Sequence, residues 1–386
     1  MQAFTASTFE IDDVQAAVAE ILEQLQLQSR LCQNSVGIIS CYAEFIDSGV
    51  VEALCNQLPF DVVGITTIAN ATGAQHGMTM LTISVLTADD VYFSTSVSSS
   101  LASSAPKDAI LKTYQSAASG KAEQPVAMFA FTPLLNQISG EYILDYLNEY
   151  SNGVPIFGTV TVDHNPDYRQ AQTIINGVGY ADALVVLLLY GNVAPTYLMA
   201  SISSEGAQKQ KAIVTDAQGG LIKAINGLPF TEYIATLGIV AKEEDVQGLN
   251  TIPIVLDYND GSPPITRVIY RVTPEGYAAC GGDVPINSTL ALDLIDRDDV
   301  LQTAQALTQQ INAMQNKCFV LLYSCIGRAH ILGADVTAEA ELAIAHYHNK
   351  IPYQLTYSGG EICPVQTING QMVNRFHNFS VVACIL

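Results

Sequence analysis

Seven residues in four short segments carry the chemistry this sequence offers: Asp163 in "TVDHN", Cys325 and Arg328 in "SCIGR", Gly360 and Glu361 in "YSGGE", and His377 and Asn378 in "FHNF". The Arg328 guanidinium presents a fork of donors that suits a carboxylate. Glu361 is a receptor for an ammonium group. Gly359–Gly360 just before it lets backbone turn sharply or approach a ligand closely. His377 and Asn378 both donate and accept hydrogen bonds. Arg328 and Glu361 in one apolar pocket would match a zwitterion such as an amino acid. Each residue also has a structural use. Arg328 could instead pair with Glu361 or Glu341, Glu361 could be a solvated acid after a turn, and His377–Asn378 could satisfy loop backbone.

A catalytic alternative stands beside this. Cys325 as nucleophile, His377 as base and Asn378 as orienting group would make a thiol- or acid–base-dependent hydrolase or transferase. Cys325 closes the apolar run "CFVLLYSC", however, and a thiol so placed is a buried structural one. The residues favour binding over catalysis. No metal or other cofactor is expected. His164 and His377 lack further ligands at metal spacing, and His346 and His348 point to different helix faces. No CxxC pair occurs among the eight cysteines, and neither nucleotide-binding glycine motif is present.

These residues need elements to hold them. "DDVQAAVAEILEQLQLQ" is an amphipathic helix, with Asp12 or Asp13 as N-cap. After it, one order of elements recurs. "SVGIISCYA" (35–43) reads as a strand, "SGVVEALCNQL" (48–58) as a helix and "VVGITTIANATG" (62–73) as a strand. "MTMLTISVLTADDVYFSTSV" (78–97) reads as a hairpin turning at Ala88-Asp89-Asp90. The second copy runs through 125–133, 139–150, 155–163 and 173–191, again with a hairpin at Ala-Asp. A looser third copy has strands at 318–325, 351–361 and 374–386 and a helix at 337–349. In all three, a strand runs out into small and polar residues, which is where α/β proteins take ligands. Between copies two and three, hairpins at Asn226-Gly227 and Pro274-Glu275-Gly276 and a helix over 298–315 interrupt the pattern. The expected class is α+β, α/β-like, with repeated β-α-β-β units in mixed sheets covered by helices. A domain boundary is placed near residue 220, giving 1–220 and 221–386.

Composition narrows the function. Hydrophobic residues make up 49% of the 386 and charged residues 14%, so the chain builds a large core. A net charge of −21, from 37 acids against 16 bases, excludes nucleic acid as an expected partner. The longest apolar run, "ALVVLLLY", is far short of the roughly 20 residues a membrane helix needs. No membrane insertion and no secretion signal are expected, and unpaired thiols suit a cytoplasmic protein.

The segments "VPIFGTVTVDHN", "IVTDAQGGLIKAINGLPFTEYI", "LLYSCIGRAHILG", "YSGGEICP" and "FHNFSVV", in that order, resemble those of FIST proteins. The N-terminal and C-terminal FIST domains would cover almost the whole chain. One departure is Phe157-Gly158-Thr159, where the family often shows Gly-Gly before the acid. The resemblance implies a sensory module that binds a small ligand, an amino acid by the usual suggestion. It favours a ligand-binding role for Asp163, Cys325, Arg328, Gly360, Glu361, His377 and Asn378. No output segment is recognisable, so signalling would pass through a separate protein.

Overall fold

The structure, a computed structural model, describes residues 1–135, 137–165, 167–201, 211–240, 253–292 and 295–386. It is an α+β protein of three sequential units around a shared core, with a fourth sheet inserted into the third unit.

Unit one comprises β1 (Gln2–Thr8), α1 (Val14–Leu25), β2 (Asn34–Cys41), α2 (Glu44–Asp47), α3 (Val50–Cys55), β3 (Val62–Thr66), β4 (Asn70–Thr72), β5 (Gln75–Gly77) and β6 (Leu81–Ala88). Unit two comprises β7 (Val91–Val97), α4 (Pro106–Ala118), β8 (Ala127–Thr132), α5 (Gly140–Ser151), β9 (Ile156–Val160), β10 (Thr173–Ile175), β11 (Val178–Tyr180) and β12 (Val185–Gly191). Unit three opens with β13 (Thr196–Ala200). The insert follows: β14 (Ala212–Gln218), β15 (Leu221–Ile225), β16 (Leu228–Pro229), α6 (Phe230–Thr236), β17 (Ile254–Asp257), β18 (Ile265–Arg267), β19 (Ile269–Val272), β20 (Ala278–Cys280) and β21 (Thr289–Leu292). The unit resumes with α7 (Arg297–Ala313), β22 (Val320–Cys325), α8 (Ile326–Leu332), α9 (Ala338–Tyr347), β23 (Tyr353–Ser358), β24 (Glu361–Gln366), β25 (Met372–His377) and β26 (Val381–Ile385).

Each unit builds four strands of its own sheet and gives a hairpin to a neighbour. The three six-stranded sheets run β1-β6-β2-β3-β10-β11, β7-β12-β8-β9-β24-β25 and β13-β26-β22-β23-β4-β5. Unit one thus receives a hairpin from unit two, unit two from unit three, and unit three from unit one. Within each sheet the pair joined by a helical crossover (β2/β3, β8/β9, β22/β23) is parallel, and the other pairs are antiparallel. The insert forms an antiparallel sheet with its own core around Val214, Ile222, Phe230 and Leu256.

Strand periodicity explains why the runs are apolar on both faces. Along β12, Val185, Leu187 and Leu189 enter the central core that all three sheets share. Val186, Leu188 and Tyr190 enter the layer beneath α4 and α5. The helices form because their apolar residues recur on one face and their ends are capped. Asp13 accepts from Gln15 and Ala16 N–H at the start of α1, and Ser139 accepts from Tyr142 N–H at the start of α5.

Three expectations need correction. The segment 78–97 is not a hairpin: β6 pairs with β1 and β2, while β7 pairs with β12 in another sheet. In the second copy, the paired reversal is β10/β11 at Asn176-Gly177. The Ala181-Asp182 turn then carries the chain from one sheet to the next. The segment 374–386 holds two strands in two sheets, β25 and β26. Turn residues and period-2 runs report a reversal, but not whether the returning strand pairs with the one before it. The first two copies share a glycine but not the threonine after it: Thr66 stands two residues beyond Gly64, and Val160 holds that place beyond Gly158. Gly64 and Gly158 hold equivalent register positions, and a Cβ on either would overlap a neighbouring strand's carbonyl, Ile39 or Ala130.

Candidate functional site

The hairpin exchange determines where the polar strand ends go. At the end of β3, β9 and β23 the chain leaves one sheet and crosses to another, and the crossovers bond to one another. Thr66 and Thr161 hydroxyls lie 2.9 Å apart, Thr67 Oγ1 donates to Tyr357 O (2.6 Å), and Gly359 N–H donates to Val160 O (2.9 Å). Gly359–Gly360 is the crossover of unit three. A Cβ on Gly359 would stand 2.9 Å from Val162 Cγ1. One on Gly360, whose φ is +154°, would stand 2.5 Å from Phe376 Cζ. The glycines therefore allow close passage of chain past chain.

Each exchanged hairpin opens on a buried polar residue at the same register position: Asn70 opposite Thr356, Thr173 opposite Ile65, Glu361 opposite Thr159. Asn70 is locked. Its Oδ1 accepts from Ser40 (2.6 Å) and Thr356 (3.0 Å), and its Nδ2 donates to Ser40 O and Met80 O. Thr173 Oγ1 donates to Ala183 O (2.7 Å). Glu361 alone of the three is titratable. It has no exposed surface, and its carboxyl meets Ser358 Oγ at 2.8 Å and Ser380 Oγ at 2.7 Å. Burial pushes its pKa up to about 8; the Ser380 and Ser358 hydroxyls, Arg328 and Cys325 pull the other way.

Arg328 is placed differently from expectation. Its partner is neither Glu361 nor Glu341 but Glu339, through Nε (3.0 Å) and Nη2 (2.7 Å) to Oε1. Nη2 also donates to Val300 O, and Nη1 to Thr303 Oγ1 and Phe379 O. All five guanidinium N–H groups therefore have acceptors, and none is left for a ligand carboxylate. The pair holds α8 against α9 and α7, and Ser324 Oγ completes it by donating to Glu339 Oε2 (2.8 Å).

Cys325 ends β22 beside this pair. Burial, and after it the Glu361 charge, push its thiol well above the ordinary range, which opposes the nucleophile reading. Asp163 is buried and caps its own crossover, accepting from Asn165 and Gln170 backbone N–H. The Tyr168 phenol, driven to about 12 by burial, feels both Cys325 and Asp163, so the two share one neighbourhood. His377 stands directly across the β24/β25 ladder from Glu361. Its Nε2 lies 3.3 Å from Cys363 O, and burial, assisted by Arg267 and Arg375, pushes its pKa down to about 3. Asn378 Nδ2 donates to His377 O (3.0 Å) and its Oδ1 accepts from Val268 N–H (3.4 Å), which ties the site to the insert.

The structure thus brings Cys325, Arg328, Gly360, Glu361, His377 and Asn378 to one end of unit three, with Asp163 on the adjoining crossover. Sequence reasoning passed over Ser358 and Ser380, although both stand in the quoted segments. It also missed the buried Arg267–Glu141 pair (2.5 Å), which with Tyr258 and Asp283 fastens the insert to α5. Partners 126 positions apart leave no local signal. Among the described residues no group of three or more His, Cys, Asp or Glu has metal-binding geometry, and no helix is long and apolar enough to cross a membrane.

Two family models match the chain, the FIST N domain over residues 35–228 and the FIST C domain over 229–364. FIST domains are small-ligand sensory domains of signalling proteins. No curated protein matches in sequence. Among solved structures, cyanuric acid hydrolase from A. caulinodans aligns with a TM-score of 0.36 and 10% identity, over 100% of this chain and 98% of that one. A likeness of that size carries no conclusion about activity.

Proposed function

The chain belongs to the FIST family, and from that premise we propose that it is a cytoplasmic sensor that takes an amino acid-like ligand by its ammonium group at Glu361. The result passes to a separate signalling protein. One observation carries this reading. Glu361 is fully buried, and among the described residues it has hydroxyl partners but no cation in ion-pair contact, because Arg328 is taken by Glu339. A buried carboxyl without a counter-ion ionises only at an electrostatic cost, which raises its pKa to about 8 and which a ligand ammonium relieves. At the equivalent position of unit one, Asn70 is satisfied internally, so the fold itself has no need of an acid there.

Entry requires the β24–β25 hairpin to part from its neighbours, since Glu361 reaches no solvent. Movement of β25 is felt in the insert through Asn378–Val268 and through Arg267 Nη1, which donates to Phe376 O (2.7 Å). These contacts are the route by which binding alters the surface offered to a partner.

The test is thermal unfolding against a panel of amino acids, simple amines and carboxylates. A ligand at 100 times its dissociation constant adds about 2.7 kcal/mol. Compounds bearing an ammonium group stabilise the protein, carboxylates lacking one do not, and Glu361→Gln abolishes the effect. An equal shift in that variant, or none with any ammonium compound, overturns the reading.

A further inference from the structure

Within the β24–β25 hairpin, Ile362 and Phe376 pack toward α5, while Cys363 packs into the central core. Strand alternation therefore puts Glu361 and His377 on the same face as Cys363. They form one cross-strand rung, and side chains directly opposite in an antiparallel ladder have Cβ atoms about 4.5–5.5 Å apart. The His377 tautomer follows from its neighbour. Nε2 faces the Cys363 carbonyl at 3.3 Å, and a carbonyl oxygen only accepts, so Nε2 carries the hydrogen. The buried ring is neutral, held so by desolvation and by Arg267 and Arg375. Nδ1 is then a bare lone pair. It is buried, and among the described residues it has no hydrogen-bond partner. An unsatisfied buried acceptor is destabilising until a donor reaches it.

Once Glu361 gives up its proton, the rung offers two acceptors and no donor. We propose that Glu361 and His377 Nδ1 together form an N–H-counting site: a ligand ammonium gives one N–H to the carboxylate and a second to the imidazole lone pair. This rests on the reading of Glu361 above and adds a selectivity that Glu361 alone lacks. A lone carboxylate attracts any cation, including a quaternary one. A carboxylate with an adjacent lone pair demands at least two N–H groups, so it takes primary and secondary ammonium and rejects tertiary and quaternary ammonium.

The experiment uses the full chain with 15N-labelled histidine and four probes: glycine and its N-methyl, N,N-dimethyl and N,N,N-trimethyl derivatives. All four share one carboxylate and differ in N–H count. Thermal unfolding and the His377 Nδ1 resonance are followed together. Glycine and its N-methyl derivative stabilise the protein and move the Nδ1 resonance from its bare lone-pair position. The other two do neither. His377→Phe, checked for its fold, weakens glycine binding about tenfold to a hundredfold, the worth of a hydrogen bond to a charged group. If all four probes stabilise wild type through Glu361 while Nδ1 stays unmoved, the His377 assignment is overturned and the Glu361 reading stands. If none stabilises wild type, both fall.

Discussion

Arg328 and Glu339 close on each other through two guanidinium N–H groups aimed at one carboxylate oxygen, and both are buried. The pair fastens three helices, with Val300 and Thr303 of α7 taking the remaining donors on one side. Arg328→Ala leaves Glu339 buried without its cation, and the expected loss is about 3–5 kcal/mol in urea unfolding. Arg328→Lys recovers only part of this, because an ammonium cannot reproduce the planar fork. A loss below about 1 kcal/mol would show that the pair is not formed in solution.

Glu361 makes stability depend on pH in a stated direction. Its carboxyl titrates near 8 in the fold, raised by burial, against an ordinary value of 4.5. A carboxyl with a raised folded pKa contributes fully below its unfolded pKa, and that contribution is lost as pH rises toward the folded value. Between these limits wild type loses about 1.4 kcal/mol per pH unit from this group. Glu361→Gln removes the slope, so its advantage over wild type grows from pH 5 to pH 8. Parallel stability curves for the two proteins would refute the burial of an ionisable group there. Ammonium binding draws the same proton off, so calorimetry in two buffers at pH 7 records proton release.

Thiol reactivity separates binding from catalysis. Cys32 and Cys318 are partly exposed, and the other six cysteines are buried. Cys325 is protonated as well as buried, and the thiolate is the reactive form. A thiol probe on the native protein labels Cys32 and Cys318 first and reaches Cys325 only on unfolding. Rapid selective labelling of Cys325 would revive the nucleophile reading.

Gly360→Ala tests the crossover. Its φ of +154° disfavours a side chain, and the new Cβ meets Phe376 Cζ at 2.5 Å. The expected cost is about 1–3 kcal/mol. Gly73→Ala, in the tight turn of the equivalent hairpin, meets nothing within 4 Å among the described residues and tests a positive-φ penalty without a clash, at +57°. Equal losses in the two variants would mean that the contact with Phe376 is relieved by movement.

Much of the architecture was legible because periodicity is local. The helices 14–25, 140–151 and 297–313 and the strands flanking them leave marks within a window of a dozen residues, and their recurring order reveals the repeat, whereas which strands pair in parallel does not show. The exchanged hairpins do not. The β4–β5 and β10–β11 strands are three residues each, shorter than any pattern that betrays a strand, and their partners lie in other units. The site divides in the same way. Glu361, Arg328 and His377 stand out by residue type, yet what each touches is set by tertiary neighbours. Glu339 on the next helix, not Glu361, took the arginine, because α8 and α9 both pack on α7. Nothing in a lone sequence ranks one buried acid over another.

The cyclic gift of hairpins sets a timetable for the growing chain. The first sheet is complete once Tyr180 has emerged, since its last strands are β10 and β11. The second waits for β25, which ends at His377, and the third for β26, which ends at Ile385. Unit one's own hairpin meanwhile waits, unpaired, for β23, nearly 300 positions downstream, as the bond from Thr72 Oγ1 to Tyr353 O across 281 positions records. Such distant closures are slow, because the entropy of the loop is lost before the contact forms. A chain cut short before His377 therefore has two open sheets, however much of its sequence is present, and the residues that would grip the ligand are among the last to arrive.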